Sequence, residues 1–274
     1  MEFDAYKMDG LGNDFVIIDQ RSRQIELSKD QIIKICNRKF IGCDQLIFIQ
    51  NEEKSSPRLE FFNSDGSISG ACGNGTRCAA QILSRENNEK EVEVKTLSGI
   101  LNSKIFDNNI VETEIGTPKT NWDEIPLNKN LDTINLNIKI LSKSKKELRG
   151  GTAINVGNPH VIFFVNNLED YDISKIGPEI ENHELFPEKC NVTIAEKIND
   201  NCMKVKVWER GAGLTMACGT AAAATAFAGK INGIAGSRTD IKFKLGVLSI
   251  NIDEKNKIYM KGPVSEIKKI KIKL

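Results

Sequence analysis

Cys72-Gly73-Asn74-Gly75-Thr76-Arg77 is the stretch around which the rest of the chain is organised. A cysteine precedes a Gly-Asn-Gly turn, and the small and apolar residues at positions 78–83 recur at helical spacing. A helix that begins just after Cys72 would direct its free backbone N–H groups and the positive end of its dipole at the sulfur. That position lowers the pKa of a thiol and favours an accessible thiolate, although a cysteine beside a glycine turn is more often a buried structural residue.

The same pattern occurs a second time. Cys218-Gly219-Thr220 is again followed by small residues, at positions 221–226, and the two cysteines are 146 positions apart (218 − 72). Three further matches keep this spacing to within one residue: Asn63 with Glu209, Gln45 with Asn191, and Gly12-Asn13 with Gly157-Asn158. Self-similarity at a fixed spacing indicates a repeated structural unit. We therefore predict an internal duplication whose two cysteines face a shared cleft.

The composition indicates the cellular compartment and the kinds of binding partner that are not expected. The 38 basic residues nearly balance the 37 acidic ones, so nothing indicates binding to nucleic acid or to an acidic membrane. Seven scattered cysteines, an odd number, are typical of free thiols in a reducing compartment. The N-terminus lacks the basic and apolar regions of a signal peptide, and no apolar run approaches membrane-spanning length. We expect a cytoplasmic protein.

The order of predicted elements indicates an α+β fold. In each half, strands precede the helix that follows the cysteine, and three short strands come after it. The four alanines at 221–224 suit close packing of that helix against a sheet, and neither βαβ alternation nor a Gly-x-Gly-x-x-Gly motif is evident. We therefore predict two pseudo-symmetric domains from an internal duplication, each a mainly antiparallel sheet wrapped around a central helix.

Several local predictions accompany this fold. Ser28 followed by Gln31 forms a capping box at the start of a short helix. Residues 8–14 read as a loop, residues 133–141 alternate as a strand, and residues 143–146 read as a solvated basic turn.

Two facing cysteines suit one kind of chemistry best. Cys72-x5-Cys78 is a poor zinc pair, and a Cys-His-Asn hydrolase would leave the second cysteine idle. Inverting a carbon acid, in contrast, needs one group to remove the α-proton and another to supply a proton from the opposite face. A thiolate and a thiol can do this, with helix N-termini binding the substrate carboxylate. No metal or pyridoxal-lysine motif is evident, so we expect no cofactor and no metal.

Longer motifs add a specific resemblance. They are Gly10-x-Gly12-Asn13-Asp14-Phe15; Asn63-Ser64-Asp65-Gly66-Ser67 with Cys72-Gly73-Asn74-Gly75-x-Arg77-Cys78; Gly157-Asn158-Pro159-His160; and Glu209-Arg210-Gly211-x-Gly213-x-Thr215-x-Ala217-Cys218-Gly219-Thr220. These motifs, spread over essentially the whole chain, resemble those of the diaminopimelate epimerase family. The resemblance implies a homodimer that converts LL- to meso-2,6-diaminopimelate in lysine and peptidoglycan-precursor synthesis. It also implies that the C-terminal strand returns to the first domain, giving domains 1–117 plus 263–274 and 118–262.

The resemblance also assigns roles by position. Cys72 matches the proton donor and Cys218 the proton acceptor in the LL-to-meso direction, and His160 and Glu209 match residues that tune the thiols. The positions that match substrate-binding residues are Asn13, Gln45, Asn63, Gly73, Asn74, Asn158, Asn191, Glu209, Arg210, Gly219 and Thr220. Gly70 and Leu214 stand where many members have Glu, and neither is a catalytic position.

Two alternatives remain open. A cofactor-independent racemase or epimerase of the proline racemase type shares the paired-cysteine logic but acts on a compact substrate. The polar set Asn63, Asn158, Asn191 and Arg210 favours a substrate with a second, zwitterionic end. A non-catalytic binding protein of the same fold is the other alternative.

Overall fold

The computed structural model describes residues 1–52, 56–70, 72–141 and 146–274, and the chain forms two units. Unit 1 comprises Met1–Glu114 and Lys261–Leu274, and unit 2 comprises Ile115–Met260. Of the predicted basic turn, residues 143–145 lie outside the described residues.

Helices and strands are numbered in chain order. The helices are α1 (Lys29–Cys36), α2 (Gly73–Asn87), α3 (Ile173–Glu181) and α4 (Gly219–Ile231), with a 3-10 turn at Leu168–Asp170. The strands are β1 (Glu2–Gly10), β2 (Asn13–Asp19), β3 (Gln45–Gln50), β4 (Arg58–Asn63), β5 (Ile68–Ser69), β6 (Glu91–Thr96), β7 (Gly99–Phe106), β8 (Ile110–Gly116), β9 (Ile138–Leu141), β10 (Glu147–Gly150), β11 (Thr152–Asn155), β12 (Pro159–Val165), β13 (Asn191–Asn199), β14 (Cys202–Glu209), β15 (Gly213–Thr215), β16 (Arg238–Phe243), β17 (Gly246–Ile252), β18 (Ile258–Pro263) and β19 (Lys268–Lys273).

Strand pairing repeats between the units. In unit 1, β1 pairs antiparallel with β2, β2 parallel with β3, β3 antiparallel with β4, and β4 antiparallel with β5 and parallel with β6. In unit 2, β11 to β16 repeat this order of antiparallel and parallel pairings, and β16–β17 repeats the antiparallel β6–β7 pair. The predicted duplication and α+β class are therefore confirmed. The C-terminal strand β19 pairs antiparallel with β1 in unit 1.

No βαβ alternation is evident in the sequence, but each unit contains one βαβ connection. The parallel pair β2–β3 is joined through α1 and the parallel pair β12–β13 through α3, because parallel neighbours require a crossover connection. Strand β2 is accordingly buried on both faces. Phe15 and Ile17 lie in the cluster that contains α2, and Val16 and Ile18 lie in the cluster that contains α1.

The two helices that follow the cysteines are buried in their units. All residues of α4 from Ala221 to Gly229 are buried, and so are those of α2 from Asn74 to Ser84. Small side chains allow this close approach to the strands. At Gly75, an added Cβ would lie 2.7 Å from Ile47 Cδ1 and 3.1 Å from Phe61 Cε1. The sequence of each helix therefore fits a position inside its sheet.

Local predictions have mixed outcomes. The capping box is confirmed, with Ser28 and Gln31 bonded reciprocally at the start of α1. The loop at 8–14 is shorter than predicted, because β1 and β2 extend to a two-residue turn in which Leu11 and Gly12 have φ of 58° and 83°. The strand predicted over 133–141 is confined to β9, since Asn137 has φ of 55° and breaks the extended run.

None of the helices within the described ranges is long and apolar enough to cross a membrane.

Gly177 of α3 gives a test of packing in unit 2. An added Cβ would lie 2.6 Å from Trp208 Cγ and 2.8 Å from its Cβ, the rigid base of a side chain that packs in the unit 2 core. Overpacking costs about 1–3 kcal/mol, and alanine recovers about 1 kcal/mol of helix propensity. Because the close atoms belong to the base of the Trp208 side chain, we expect the upper part of that range, about 2–3 kcal/mol. Gly177→Ala should then lower the free energy of urea unfolding by about 1–2 kcal/mol.

Gly236→Ala is the matched control, because nothing lies within 4 Å of a Cβ at that position. Equal stability of the two variants would contradict the packing argument.

Candidate active site

Cys72 and Cys218 are the N-cap residues of α2 and α4, in almost the same backbone conformation. Their φ and ψ are −142° and 111° for Cys72 and −139° and 117° for Cys218. The carbonyl oxygen of Cys72 accepts from the Thr76 N–H at 2.8 Å, and that of Cys218 accepts from the Ala222 N–H at 3.0 Å. The N–H groups of the residues between each cap and its partner point out of the helix end, where the dipole is positive. Each unit thus presents one thiol beside an anion-binding helix end.

Asn13 lies beside the first thiol. Its Oδ1 is 3.8 Å from the Cys72 sulfur and accepts from Asn74 Nδ2 at 3.3 Å. Its Nδ2 donates to Asp44 Oδ2 at 2.9 Å, and the Asp14 N–H donates to the same carboxylate oxygen at 3.0 Å. Asp44 therefore fixes which end of the Asn13 amide faces the cysteine. The sequence prediction did not include Asp44, although it directly precedes Gln45.

Gln45 and Asn63 form a second polar pair in unit 1. They are opposite each other in the β3–β4 register, and Gln45 Nε2 donates to Asn63 Oδ1 at 2.9 Å. Asn63 Nδ2 donates to Ser67 Oγ at 3.0 Å. Gln45 Oε1 is buried and has no hydrogen-bond partner among the described residues. The side-chain amides of Asn13, Gln45 and Asn63 lie at the same end of the sheet, where β2 and β3 begin and β4 ends.

The equivalent edge of unit 2 holds His160, Asn158 and Asn191. His160 and Asn191 are neighbours in the parallel β12–β13 register, and His160 Nε2 is 2.8 Å from Asn158 Oδ1. Burial, together with the positive charge of Arg210, lowers the pKa of His160 to about 3, so the imidazole is neutral at physiological pH. Because Asn158 Oδ1 is an acceptor, the neutral ring donates from Nε2, and Nδ1 is left without a partner among the described residues.

Asn191 also orients the chain at Arg210. Its Oδ1 accepts from the Arg210 N–H at 3.0 Å, and its Nδ2 donates to the Pro159 carbonyl at 2.9 Å. The Arg210 guanidinium donates from Nη1 to the Glu188 carbonyl at 2.9 Å. The polar positions predicted for unit 2 are thus joined through backbone and side-chain hydrogen bonds.

Cys218 has a different electrostatic environment from an exposed thiol. Burial raises the pKa of Cys218 well above the ordinary value, and the negative charge of Glu209 raises it further. The hydroxyl of Thr220, 3.4 Å from the sulfur, acts in the opposite direction. The family resemblance assigns Glu209 and His160 to the residues that tune the thiols. In the structure, Glu209 raises the pKa of Cys218, and His160 contacts Asn158.

Glu181 is a site-supporting residue that the sequence prediction missed. It lies at the C-terminal end of α3 and is 6% exposed. Its carboxylate accepts from Trp208 Nε1 at 2.7 Å and from the Gly211 N–H at 3.0 Å. Trp208 and Gly211 flank Glu209 and Arg210 in the sequence, so the two hydrogen bonds fix the turn that carries these two residues.

Each unit therefore combines a thiol, the free N–H groups of a helix end and a set of fixed amides. A thiol can exchange a proton with a substrate, and helix N–H groups can bind a carboxylate whose charge grows as a carbanion forms. This arrangement suits proton transfer next to a carboxylate.

Solved structures of dissimilar sequence share the fold. A phenazine biosynthesis protein of the PhzF family from Bacillus anthracis aligns with a TM-score of 0.66 at 16% identity, covering 100% of both chains. A hydroxyproline epimerase from Agrobacterium vitis aligns with a TM-score of 0.69 at 12% identity, covering 98% of this chain and 91% of that chain. The chain thus has the duplicated α+β fold that these two proteins share.

Sequence similarity narrows this class to one family. The sequence profile of diaminopimelate epimerase matches residues 5–120 and 152–267, one segment in each repeated half. A diaminopimelate epimerase from Pelagibacter ubique (strain HTCC1062) is 65% identical over 274 residues, covering 100% of both chains. The chain belongs to the diaminopimelate epimerase family and is therefore an isomerase.

Glu181→Gln tests the support of the Arg210 turn. Glutamine keeps one acceptor oxygen and replaces the other with a donor, so either Trp208 Nε1 or the Gly211 N–H loses its partner. We expect a loss of about 1–3 kcal/mol in the free energy of urea unfolding.

Glu179→Gln on the same helix is the control, since Glu179 is exposed and the charge change is identical. The role assigned to Glu181 would be refuted by two variants of equal stability.

Glu209→Gln tests the charge beside Cys218. A negative neighbour raises the cost of forming a thiolate, so the neutral amide lowers the pKa of Cys218 relative to the unaltered protein. We expect the pH of half-maximal iodoacetamide modification of Cys218, followed by peptide mass spectrometry, to fall by about one unit. Glu179→Gln should leave it unchanged, and a rise in Glu209→Gln would contradict the assignment.

Proposed function

We propose that this chain is a cofactor-independent diaminopimelate epimerase that interconverts LL- and meso-2,6-diaminopimelate with its two N-cap cysteines. Family membership supports the substrate, since a relative named diaminopimelate epimerase is 65% identical over the full chain. The observation that carries the mechanism is the near-identical backbone conformation of Cys72 and Cys218 at two helix ends. A reaction that needs one proton-transfer group on each face of a carbon calls for two such groups of the same kind.

The proposed reaction follows from these two thiols. In the LL-to-meso direction, the Cys218 thiolate removes the α-proton and the Cys72 thiol supplies a proton to the opposite face. The products are the inverted carbon, a Cys218 thiol and a Cys72 thiolate, so the reverse reaction uses the same groups with exchanged roles. The backbone amides of Gly73, Asn74, Gly219 and Thr220 bind the reacting carboxylate and stabilise the charge that develops on it.

The remaining polar positions are proposed to recognise the distal amino-acid end of diaminopimelate. They are Asn13, Gln45, Asn63, Asn158, Asn191, Glu209 and Arg210. His160 and Glu209 are proposed to tune the thiols. The hydrogen bonds described above support this assignment, because they fix the orientation of most of these side chains in the absence of substrate. Pre-oriented groups lower the cost of ordering on binding.

The cellular setting is also proposed. We assign the chain to the cytoplasm as a homodimer in lysine biosynthesis, acting without pyridoxal phosphate and without nucleic-acid or membrane partners.

A solvent exchange assay tests the function. Purified chain is incubated in D₂O with each diaminopimelate isomer, with EDTA present and no pyridoxal phosphate, and deuterium at the α-carbons is followed by NMR and mass spectrometry. We expect each newly formed product isomer to carry deuterium from solvent, because the donor thiol exchanges its proton with water before it reacts. L-Proline under the same conditions should not exchange. Proline exchange without diaminopimelate exchange would favour a racemase of the proline type, and exchange of neither would favour a binding protein.

Cysteine substitutions test the two-base mechanism. Cys72→Ser and Cys218→Ser should each reduce the epimerisation rate by about 100-fold or more, because a hydroxyl is a far weaker acid and base at neutral pH. Cys202→Ser is the control, since Cys202 is a free, buried cysteine of β14 that lies outside the proposed site. Wild-type turnover in either of the first two variants, with the fold intact by circular dichroism, would refute the mechanism.

A further inference from the structure

Arg77 is a buried cation inside the first helix. It lies on α2, five residues after Cys72, and its side chain is 0% exposed. Its Nε, Nη1 and Nη2 atoms have no hydrogen-bond partner within the described part of the chain. A guanidinium has five N–H donors, and burying such an ion is costly unless an anion or acceptors compensate for the lost water.

The guanidinium lies toward the N-terminal end of α2. Helical side chains lean toward the N-terminus, and Nη2 of Arg77 is 3.1 Å from the position that a Cβ on Gly10 would occupy. The same position is 3.3 Å from Cβ of Asn74, in the first turn. Gly10 therefore leaves the room that the guanidinium fills, beside the turn that Cys72 caps.

The groups that favour the charged form of Arg77 are two thiols, Cys78 and Cys72. Burial lowers the pKa of Arg77 to about 10, so the side chain stays a cation at neutral pH. Among the described residues, Arg77 forms no salt bridge with a carboxylate, and Asp9, from β1, acts on Cys78. Within the described part of unit 1, the two thiols are therefore the candidates for an anion that offsets this buried charge.

Cys72 is the better candidate for that thiolate. Cys78 is fully buried, and its burial raises the pKa of its thiol far above the ordinary value. Cys72 is partly exposed and sits at the positive end of the helix dipole, and both properties favour its ionised form. Asn13 Oδ1, 3.8 Å from the sulfur, favours the protonated thiol instead, so the buried cation and the helix end must together outweigh it.

The second cysteine lacks this cation. The position equivalent to Arg77 in the repeat is Ala223 (77 + 146), and the position equivalent to Asn63 is Glu209 (63 + 146). Cys218 therefore has a negative neighbour, Glu209, where unit 1 has a neutral residue, and a neutral residue, Ala223, where unit 1 has the cation. The two units have the same backbone around the thiol and opposite charges beside it.

We propose that Arg77 is a positioning residue whose buried guanidinium holds Cys72 as the thiolate, so that in the free protein Cys72 is ionised and Cys218 carries its proton. This proposal extends the proposed function. The ionisation of Cys72 does not depend on that function; only its consequence for catalysis does. The resting form would be the one that removes the α-proton from the meso isomer, and binding of the LL isomer would require the proton to redistribute first.

The test measures each thiol without substrate. Intact protein is pulsed with iodoacetamide between pH 5 and pH 10, and modification of Cys72 and Cys218 is quantified in the same digest. We expect the midpoint for Cys72 to lie at least about one pH unit below that for Cys218, because burial and the negative charge of Glu209 raise the pKa of Cys218, whereas a cation favours the Cys72 thiolate. Cys72 midpoints equal to or above those of Cys218 would overturn the proposal.

Variants of Arg77 distinguish an effect of its charge on Cys72 from a role in packing alone. In Arg77→Met, the midpoint of Cys72 should rise by about one unit, which lowers its modification rate near pH 7 about tenfold, while the Cys218 midpoint stays unchanged. Arg77→Lys keeps the cation and should retain most of the effect. Arg85→Met is the control, since Arg85 is an exposed cation of the same helix that bonds Asn109 and Glu266.

An unchanged Cys72 midpoint in folded Arg77→Met would show that Arg77 only fills space. If that variant does not fold by circular dichroism, the neutral Arg77→Gln replaces it, because the burial of Cys218 would separate the two midpoints of the unaltered protein even without Arg77. Because no turnover is measured, the result is independent of whether diaminopimelate is the substrate.

Discussion

The structure depends on burying a helix inside its own sheet with a cysteine at the N-terminal end of the helix. A helix can be enclosed in this way only if its side chains are small, which explains the alanines of α4 and the close approach at Gly75 in α2. Its first N–H groups have no partner within the helix, so that end must meet water or a ligand. Strands β2 and β3 begin, and β4 ends, at one end of the sheet, and their terminal residues Asn13, Gln45 and Asn63 place side-chain amides there.

Much of this arrangement could be predicted from sequence because it is encoded locally. The cysteine, the tight turn and the small residues occur together in a few consecutive positions, and the repeat at 146 residues excludes coincidence. The parallel pairings were harder to predict, because they join segments separated by a helix. The signal was the unbroken apolar run Phe15–Ile18, since a strand that is buried on both faces does not alternate. Along 133–141, the alternation was real but one residue, Asn137, adopts a left-handed conformation that no periodicity reveals.

The supporting charged residues were missed for a different reason. Glu181 accepts hydrogen bonds from residues 27 and 30 positions away in the sequence, and Asp44 accepts one from Asn13, 31 positions away. No local sequence pattern therefore indicates either role. A charged residue on a helix is usually exposed. Even so, Glu181 follows Ile173, Ile176 and Ile180 on the apolar face of α3, where a carboxylate needs a partner. Arg77 is similarly out of place among the small residues of a helix that is buried on all sides.

The two halves show how a duplicated fold can support a reaction that is not symmetric. Proton transfer between opposite faces requires one thiolate and one thiol at any moment, and two identical environments would give no preference for which is which. The repeat keeps the backbone of both N-caps within a few degrees and changes the neighbours instead. Asn63 corresponds to Glu209, which adds a negative charge beside Cys218, and Arg77 corresponds to Ala223, which leaves the positive charge only in unit 1. In the proposed mechanism, both differences favour the anion on Cys72. The common backbone would then supply the proton-transfer geometry, and the side chains that differ would decide where the proton rests.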